Sequence, residues 1–328
     1  MARKRHQYPL IEGLEITTLA AEGKSLGRWN DQVVFVPMTV PGDVVDVQIR
    51  NKRRRYMEGY VVRYQKFSEM RCEPFCQHFG VCGGCKWQNL PYDEQLRLKQ
   101  SQVEDQLTRI GKIELPAISP ILGSKKTQLY RNKLEFTFTP RRWLTQEEVA
   151  SGAELDASPA LGFHIPTMFD KVLDIEKCWL QPEPSNAIRL ATKRFCLEHG
   201  YEFYNVREHS GFMRNMIIRT ASTGEVMVIV IFAYRDEERI SALLDHLCEQ
   251  FPEITSMIYM INEKLNDSTG DLEPVTYRGN GHIFEQMEGL RFKVGPKSFY
   301  QTNSEQAYEL YKVAREAADL KEGEVLYD

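Results

Sequence analysis

The chain has 328 residues, enough for about two domains on size alone. Its composition is that of an ordinary soluble globular protein, and no apolar stretch approaches the ~18 residues of a membrane span. The formal charge of −4 hides an asymmetry. Residues 1–142 carry 24 Lys and Arg against 15 Asp and Glu, net +9, and residues 143–328 carry the remaining 18 against 31, net −13. A basic front half implies a polyanion-facing end.

In chain order, MARKRHQYPL is basic and then polar, without the apolar core of a secretory signal, so a cytoplasmic protein with reduced thiols is expected. Residues 8–66 read as about five short strands. Ile11, Leu14, Ile16 and Leu19 open the region, and Val33–Val36 follows. Pro41-Gly42-Asp43 is a tight turn. Val45, Val47 and Ile49 alternate with polar residues, and a last strand lies near Gly59–Val62. This pattern fits a small closed barrel of the OB type. The run Arg50-Asn51-Lys52-Arg53-Arg54-Arg55-Tyr56 lies between two strands, dense in charge and flanked by an aromatic. Arg50, Lys52, Arg53, Arg54 and Arg55 are therefore candidate nucleic-acid contacts.

Four cysteines then fall within fourteen residues: Cys72, Cys76, Cys82 and Cys85 in RCEPFCQHFGVCGGCKWQ. Thiolates at this spacing can converge on one soft metal, with Gly83 and Gly84 expected to supply the sharp turn. Spacing alone leaves a structural zinc and an iron–sulfur cluster both open, and favours Cys72 as a fourth local ligand.

Tyr92 to Ile110 reads as an amphipathic helix with Leu96, Val103, Leu107 and Ile110 on one side, entered at Pro91. Leu134–Phe138 alternates as a strand. Beside it, Lys133, Arg141 and Arg142 form a second basic group and further candidate nucleic-acid contacts. Residues 144–158 look like an exposed insertion. Strands at 161–165, 172–175, 216–220, 226–232 and 257–261 and helices at 184–198 and 236–250 describe a mixed α+β domain with antiparallel strands rather than a doubly wound repeat. Cys196 and Cys248 sit inside the helical patterns, where buried, inert thiols are the default. From 298 the texture changes. Thr302 or Asn303 can cap a helix ending near Leu320, and Val325–Tyr327 reads as a short strand of the kind that opens a parallel nucleotide-type sheet.

The segment HFGVCGGCKWQ resembles the cluster segment of bacterial uracil-5-methyltransferases of ribosomal RNA. The first sixty or so residues are similar to the TRAM domain, an OB-like RNA-binding barrel, and Phe299-Tyr300-Gln301-Thr302-Asn303 resembles the stretch that opens the family's methyltransferase domain. The resemblance implies a multidomain α+β chain. Its parts are a TRAM barrel over 1–67, a central mixed α+β domain with a metal cluster over 68–297, and the start of a Rossmann-like methyltransferase domain over 298–328. It implies a [4Fe–4S] cluster on Cys76, Cys82, Cys85 and the distant Cys178, with Cys72 not required. It implies S-adenosylmethionine as methyl donor, contacted by Gln301, and an RNA partner that is ribosomal rather than transfer RNA, with the protein a monomer. The family's catalytic cysteine and general base have no counterpart in this chain, so no catalytic residue is assigned and the chain is expected to bind RNA without methylating it. A metal-stabilised, non-catalytic RNA-binding module is the second reading.

The cluster assignment has a direct test. Anaerobically purified protein is expected to contain iron and labile sulfide with broad visible absorption, lost in Cys178→Ala and kept in Cys72→Ala. Stoichiometric zinc without iron, or the reverse mutant pattern, would favour the local four-cysteine site.

Overall fold

The computed structural model describes residues 8–152 and 156–327, in two compact units, residues 1–123 and 124–328. The basic start at residues 1–7 lies outside the described residues.

The first unit is built on a closed five-stranded barrel. Strands β1 (Leu10–Leu19), β2 (Lys24–Trp29), β3 (Gln32–Pro37), β4 (Val44–Lys52) and β5 (Tyr56–Lys66) join in the order β1-β2-β3-β5-β4. Closure comes from the antiparallel β1–β4 pair and the parallel β3–β5 pair, where Val34 faces Met57. The alternation expected from sequence points inward: Ile11, Leu14, Ile16, Val34, Val36, Val45, Val47, Ile49 and Met57 make one core. Ile11 and Leu14 are three residues apart rather than two. Gly13, at φ 65°, absorbs the extra residue where the β1–β4 register shifts, and its N–H donates to Asp46 Oδ1 at 2.9 Å. That N–H, followed by the Arg63 and Gln65 donors, holds the Asp46 carboxyl below its ordinary pKa.

Asp43 closes the expected Pro41-Gly42-Asp43 turn. Its side chain is fully buried and accepts from Val40 N (2.8 Å), Ser68 N (2.9 Å), Arg71 Nε (2.8 Å) and Arg71 Nη2 (2.7 Å). One carboxylate thus ties the turn before β4 to the chain leaving β5.

Helix α1 (Tyr92–Asp105) continues through a wider turn, Gln106–Ile110. The expected apolar stripe is not the buried one. Leu98 is the buried residue of α1 and packs with Leu19, Val40 and Leu90, whereas Val103 and Ile110 are 49% and 79% exposed. Helical periodicity marks a face, but only the turn that meets the barrel buries it.

The second unit holds a seven-stranded sheet in the order β12-β11-β10-β9-β6-β7-β8, made of β6 (Lys133–Thr139), β7 (Ala160–His164), β8 (Val172–Asp174), β9 (Met213–Thr220), β10 (Val226–Phe232), β11 (Ile254–Ile261) and β12 (Val275–Gly279). All pairs are antiparallel except β10–β11, which the crossover helix α4 (Glu237–Gln250) makes parallel. Helices α3 (Ser185–Glu198) and α4 pack on each other and on the sheet at β7 and β11. On the other face, Ile217, Met227, Ile229, Ile231, Ile258 and Met260 are covered by Leu272 and by Ile283 and Val294 of the hairpin β13 (Ile283–Met287) and β14 (Leu290–Val294). Cover on both faces explains why Val-Met-Val-Ile-Val-Ile-Phe in β10 lacks polar alternation. Strands β12–β14 add to those expected from sequence.

The insertion at 144–158 contains a short helix, α2 (Gln146–Ala150), started by a capping box between Thr145 and Glu148. Helix α5 (Ser304–Ala318) is capped by Asn303, whose side chain accepts from Gln306 N. The strand expected at Val325–Tyr327 is not formed. Residues 324–327 are irregular and these side chains are 63–92% exposed, as befits an extended segment with no ladder to join among the described residues.

Asp43→Ala is expected to destabilise the barrel by about 3 kcal/mol, because it strands a mostly buried guanidinium. Hydrogen exchange of the barrel amides measures this. The double variant Asp43→Ala/Arg71→Ala should cost less than the sum of the two single changes.

Candidate functional site

In the first unit, the basic run occupies the end of β4 and the turn into β5. Lys52, Arg53, Arg54 and Arg55 are all exposed. The turn is held by its backbone: Arg53 N donates to Tyr56 O at 2.8 Å, and Gln32 Nε2 donates to Arg54 O at 3.0 Å. The side chains are thus left to solvent on a fixed loop. Arg50, also exposed, lies over the Tyr60 ring at 4.1 Å, a cation–π pair facing outward.

In the second unit, polar contacts organise the Phe299–Asn303 motif. Asn132, just before β6, donates through Nδ2 to Gln301 O and to Ser304 Oγ, both at 2.8 Å, and its N–H donates to Thr302 O at 2.8 Å. Ser304 Oγ donates to Glu285 Oε1 at 2.8 Å, and Ser222 Oγ donates to Glu285 Oε2 at 2.6 Å. Glu285 is only 2% exposed. Gln301 is therefore placed by its backbone, at the entry to α5. Phe299, two residues earlier, is 84% exposed, a large apolar ring left in water. Composition gave no role to Phe299; its exposure is a tertiary fact.

Lys133 lies directly opposite Arg219 in the β6–β9 register. Arg219 is 6% exposed and donates through Nη2 to Ser298 O at 2.6 Å, while its buried Nε has no hydrogen-bond partner. Burial first, then the Arg219 charge, pull the Lys133 pKa down, and burial lowers that of Arg219. Like charges facing across strands are destabilising, and the Glu135 carboxylate offsets part of this at Lys133. Arg219 was not singled out in the sequence; only the register pairs it with Lys133. Of the other two expected contacts, Arg141 is exposed. Arg142 is mostly buried and donates to Glu148 at 2.7 Å, a pair that holds the Glu148 carboxyl down at about 2. Its charge is already compensated at the foot of α2.

The cysteine segment is a series of turns in the first unit. Phe79 N donates to Cys76 O and Cys82 N to His78 O, and Gly84 N donates to Cys82 Sγ at 3.4 Å. The positive-φ glycine of the segment is Gly80, not Gly83 or Gly84. Cys72 Sγ is 3.4 Å from Gln88 O, and burial raises its thiol pKa. Cys178 is buried in the second unit, its backbone bracketed by Asn186 at 2.8 and 3.2 Å. None of the seven cysteines is in a disulfide. The thiol donors suit iron or zinc. However, among the described residues no group of three or more His, Cys, Asp or Glu side chains is gathered closely enough to hold a metal ion, so no chemical step is routed through one. Cys196 and Cys248 are buried in α3 and α4, and burial pushes both thiols up, which suits packing rather than nucleophilic attack.

The first unit thus carries a closed barrel with an exposed basic loop, and the second an aromatic-flanked motif beside the buried Arg219. Comparison with known proteins supplies the class. The TRAM domain family matches residues 11–62. A protein of Bacteroides thetaiotaomicron described as an uncharacterized RNA methyltransferase is 59% identical over 94% of this chain and 69% of its own length. One of Porphyromonas gingivalis with the same description is 52% identical over 96% of this chain and 69% of its own. The crystal structure of Pyrococcus abyssi tRNA (uracil-54, C5)-methyltransferase in complex with S-adenosyl-L-homocysteine shares the fold, with a TM-score of 0.66 at 24% identity over 95% of this chain and 66% of that one. The chain belongs to the RNA methyltransferase family and spans about two thirds of the length of these proteins.

Asn132→Ala is expected to loosen residues 298–306 while leaving the sheet intact, at a cost of about 1–3 kcal/mol for the unsatisfied groups it exposes. Faster hydrogen exchange confined to that segment is the expected result. Uniform loss of protection across the second unit would show instead that Asn132 holds the sheet.

Proposed function

We propose that this chain forms the RNA-gripping part, and the approach to the cofactor, of an S-adenosylmethionine-dependent methyltransferase that modifies carbon 5 of a uridine in RNA. The observation that carries the reading is the exposed Arg50–Arg55 arm on a TRAM barrel, in a chain whose relatives are RNA methyltransferases. Functionally we divide the chain into the barrel (1–67), a central domain bearing the cysteines (68–297) and the opening of the methyltransferase domain (298–328).

The chemistry assigns the parts. Carbon 5 of uracil is a poor nucleophile until a thiolate adds at carbon 6. The activated carbon then takes the sulfonium methyl group, a base removes the carbon-5 proton, and the thiolate leaves. The target base must also leave its stack. In this chain the arm supplies phosphate contacts, Lys133 and Arg219 offer a second cationic place for the backbone, and Gln301 stands at the cofactor side. Phe299 offers a ring on which a base can stack. No residue here is assigned as nucleophile or base, and Cys196 and Cys248 are buried. The iron–sulfur assignment to Cys76, Cys82, Cys85 and Cys178 rests on the family resemblance alone, since the spacing by itself leaves zinc open and favours Cys72 as the fourth ligand. The cysteine segment favours ribosomal RNA, whereas the Pyrococcus abyssi enzyme is named for transfer RNA, so both substrates belong in the assay.

Binding to structured RNA is expected to weaken steeply with salt, because phosphate contacts release counterions. Arg53→Ala/Arg54→Ala/Arg55→Ala should lower affinity and reduce the slope of log K against log salt by about 2–3. An unchanged affinity would reduce the run to a solvated loop and remove the main support for this reading.

A further inference from the structure

The first unit contains a second recognition element, away from the basic arm. A cavity of about 490 Å³ opens between the end of β5 and the cysteine segment, within the ~300–1,000 Å³ range of ligand clefts. One wall is a preformed stack. The Tyr64 and Phe67 rings lie 4.8 Å apart at 24°, and the Arg71 guanidinium carbon is 5.0 Å and 5.2 Å from their centroids. Tyr64 is pinned by its hydroxyl, which donates to Met38 O at 2.9 Å. Arg71 is pinned by its two bonds to buried Asp43, which raise its pKa despite the opposing effect of burial. Phe67, by contrast, is 60% exposed. Phe79, Cys72 and the carboxylate-bearing Glu73 also line it.

The charges decide which ligand fits. Two nitrogens of Arg71 are already committed to Asp43, and Glu73 adds a second carboxylate, so one cation stands among two anions. A phosphate finds no unspent positive charge here. A neutral, planar, polarisable ring finds an aromatic face and a delocalised cation held rigid in advance, with Glu73 able to accept from ring or amino N–H groups. We propose that this cavity is a stacking pocket for an unpaired nucleobase of the bound RNA. The proposal rests on the RNA-binding reading above and adds to it. The arm grips the backbone, and the pocket selects RNA in which a base is free to leave its helix.

The test uses the 328-residue protein and a short single-stranded RNA carrying 2-aminopurine, with the same strand annealed to its complement as control. Stacking in the pocket is expected to change the probe's fluorescence on binding of the single strand and not of the duplex. Phe67→Leu should remove that change and weaken single-strand binding roughly tenfold or more, with the salt slope unaltered, because no phosphate contact is lost. Phe67→Tyr should behave as the parent. Since Phe67 is largely exposed, both variants should fold, which thermal melts check. If Phe67→Leu binds and responds like the parent while the triple arginine variant is weakened, the pocket is refuted and RNA binding stands. If the parent binds neither RNA, both readings fall.

Discussion

The first unit depends on one buried carboxylate. Asp43 takes backbone N–H groups from the turn before β4 and from the chain leaving β5, and two nitrogens of Arg71. A charge removed from water is tolerable only when its oxygens are fully satisfied, so this arrangement leaves the surrounding chain little freedom. The consequences run outward. The turn into β4 is fixed, the exit of β5 is fixed, and Arg71 is held about 5 Å from the Tyr64 and Phe67 ring centroids. Stability of the barrel and shape of the cavity are two results of the same contact.

The second unit solves the same problem with a neutral relay. Asn132, Ser304 and Ser222 deliver donors to the Gln301 carbonyl and the buried Glu285 carboxylate, which joins the start of β6, the β9–β10 turn, the hairpin and the start of α5. Beside this network the Lys133–Arg219 pair faces across two strands, with the Glu135 charge acting on Lys133 and Arg219 lining the same small pocket as Glu285.

Division of labour between the arm and the cavity follows from their chemistry. Exposed arginines on a turn are insensitive to sequence and act over a Debye length. The cavity near Arg71 has its cation already paired and can only read planarity and hydrogen-bonding edges. In the proposed reading, affinity and selection for unpaired bases fall to different surfaces of the same small unit.

Much of this was legible in the chain itself. Period-two alternation in Val45, Val47 and Ile49, the Pro41-Gly42-Asp43 turn and the Asn303 cap are local rules, and they produced the barrel strands and the start of α5 because neighbouring residues decide them. The cysteine spacing and the Phe299–Asn303 motif pointed to the family for the same reason. Other features depend on what meets what. The stripe Leu96, Val103, Leu107 and Ile110 had the right period and yet Leu98 was buried, since a helix buries only the face that finds a partner. Val325–Tyr327 had strand composition and formed none, since a strand exists only by pairing. Cross-strand register set Arg219 against Lys133, and Glu148 drew Arg142 out of solvent. Sequence therefore determined the elements and the class of chemistry. Tertiary structure decided which charges are spent, which rings are exposed and which cavity they line, because those depend on contacts between residues far apart in the chain.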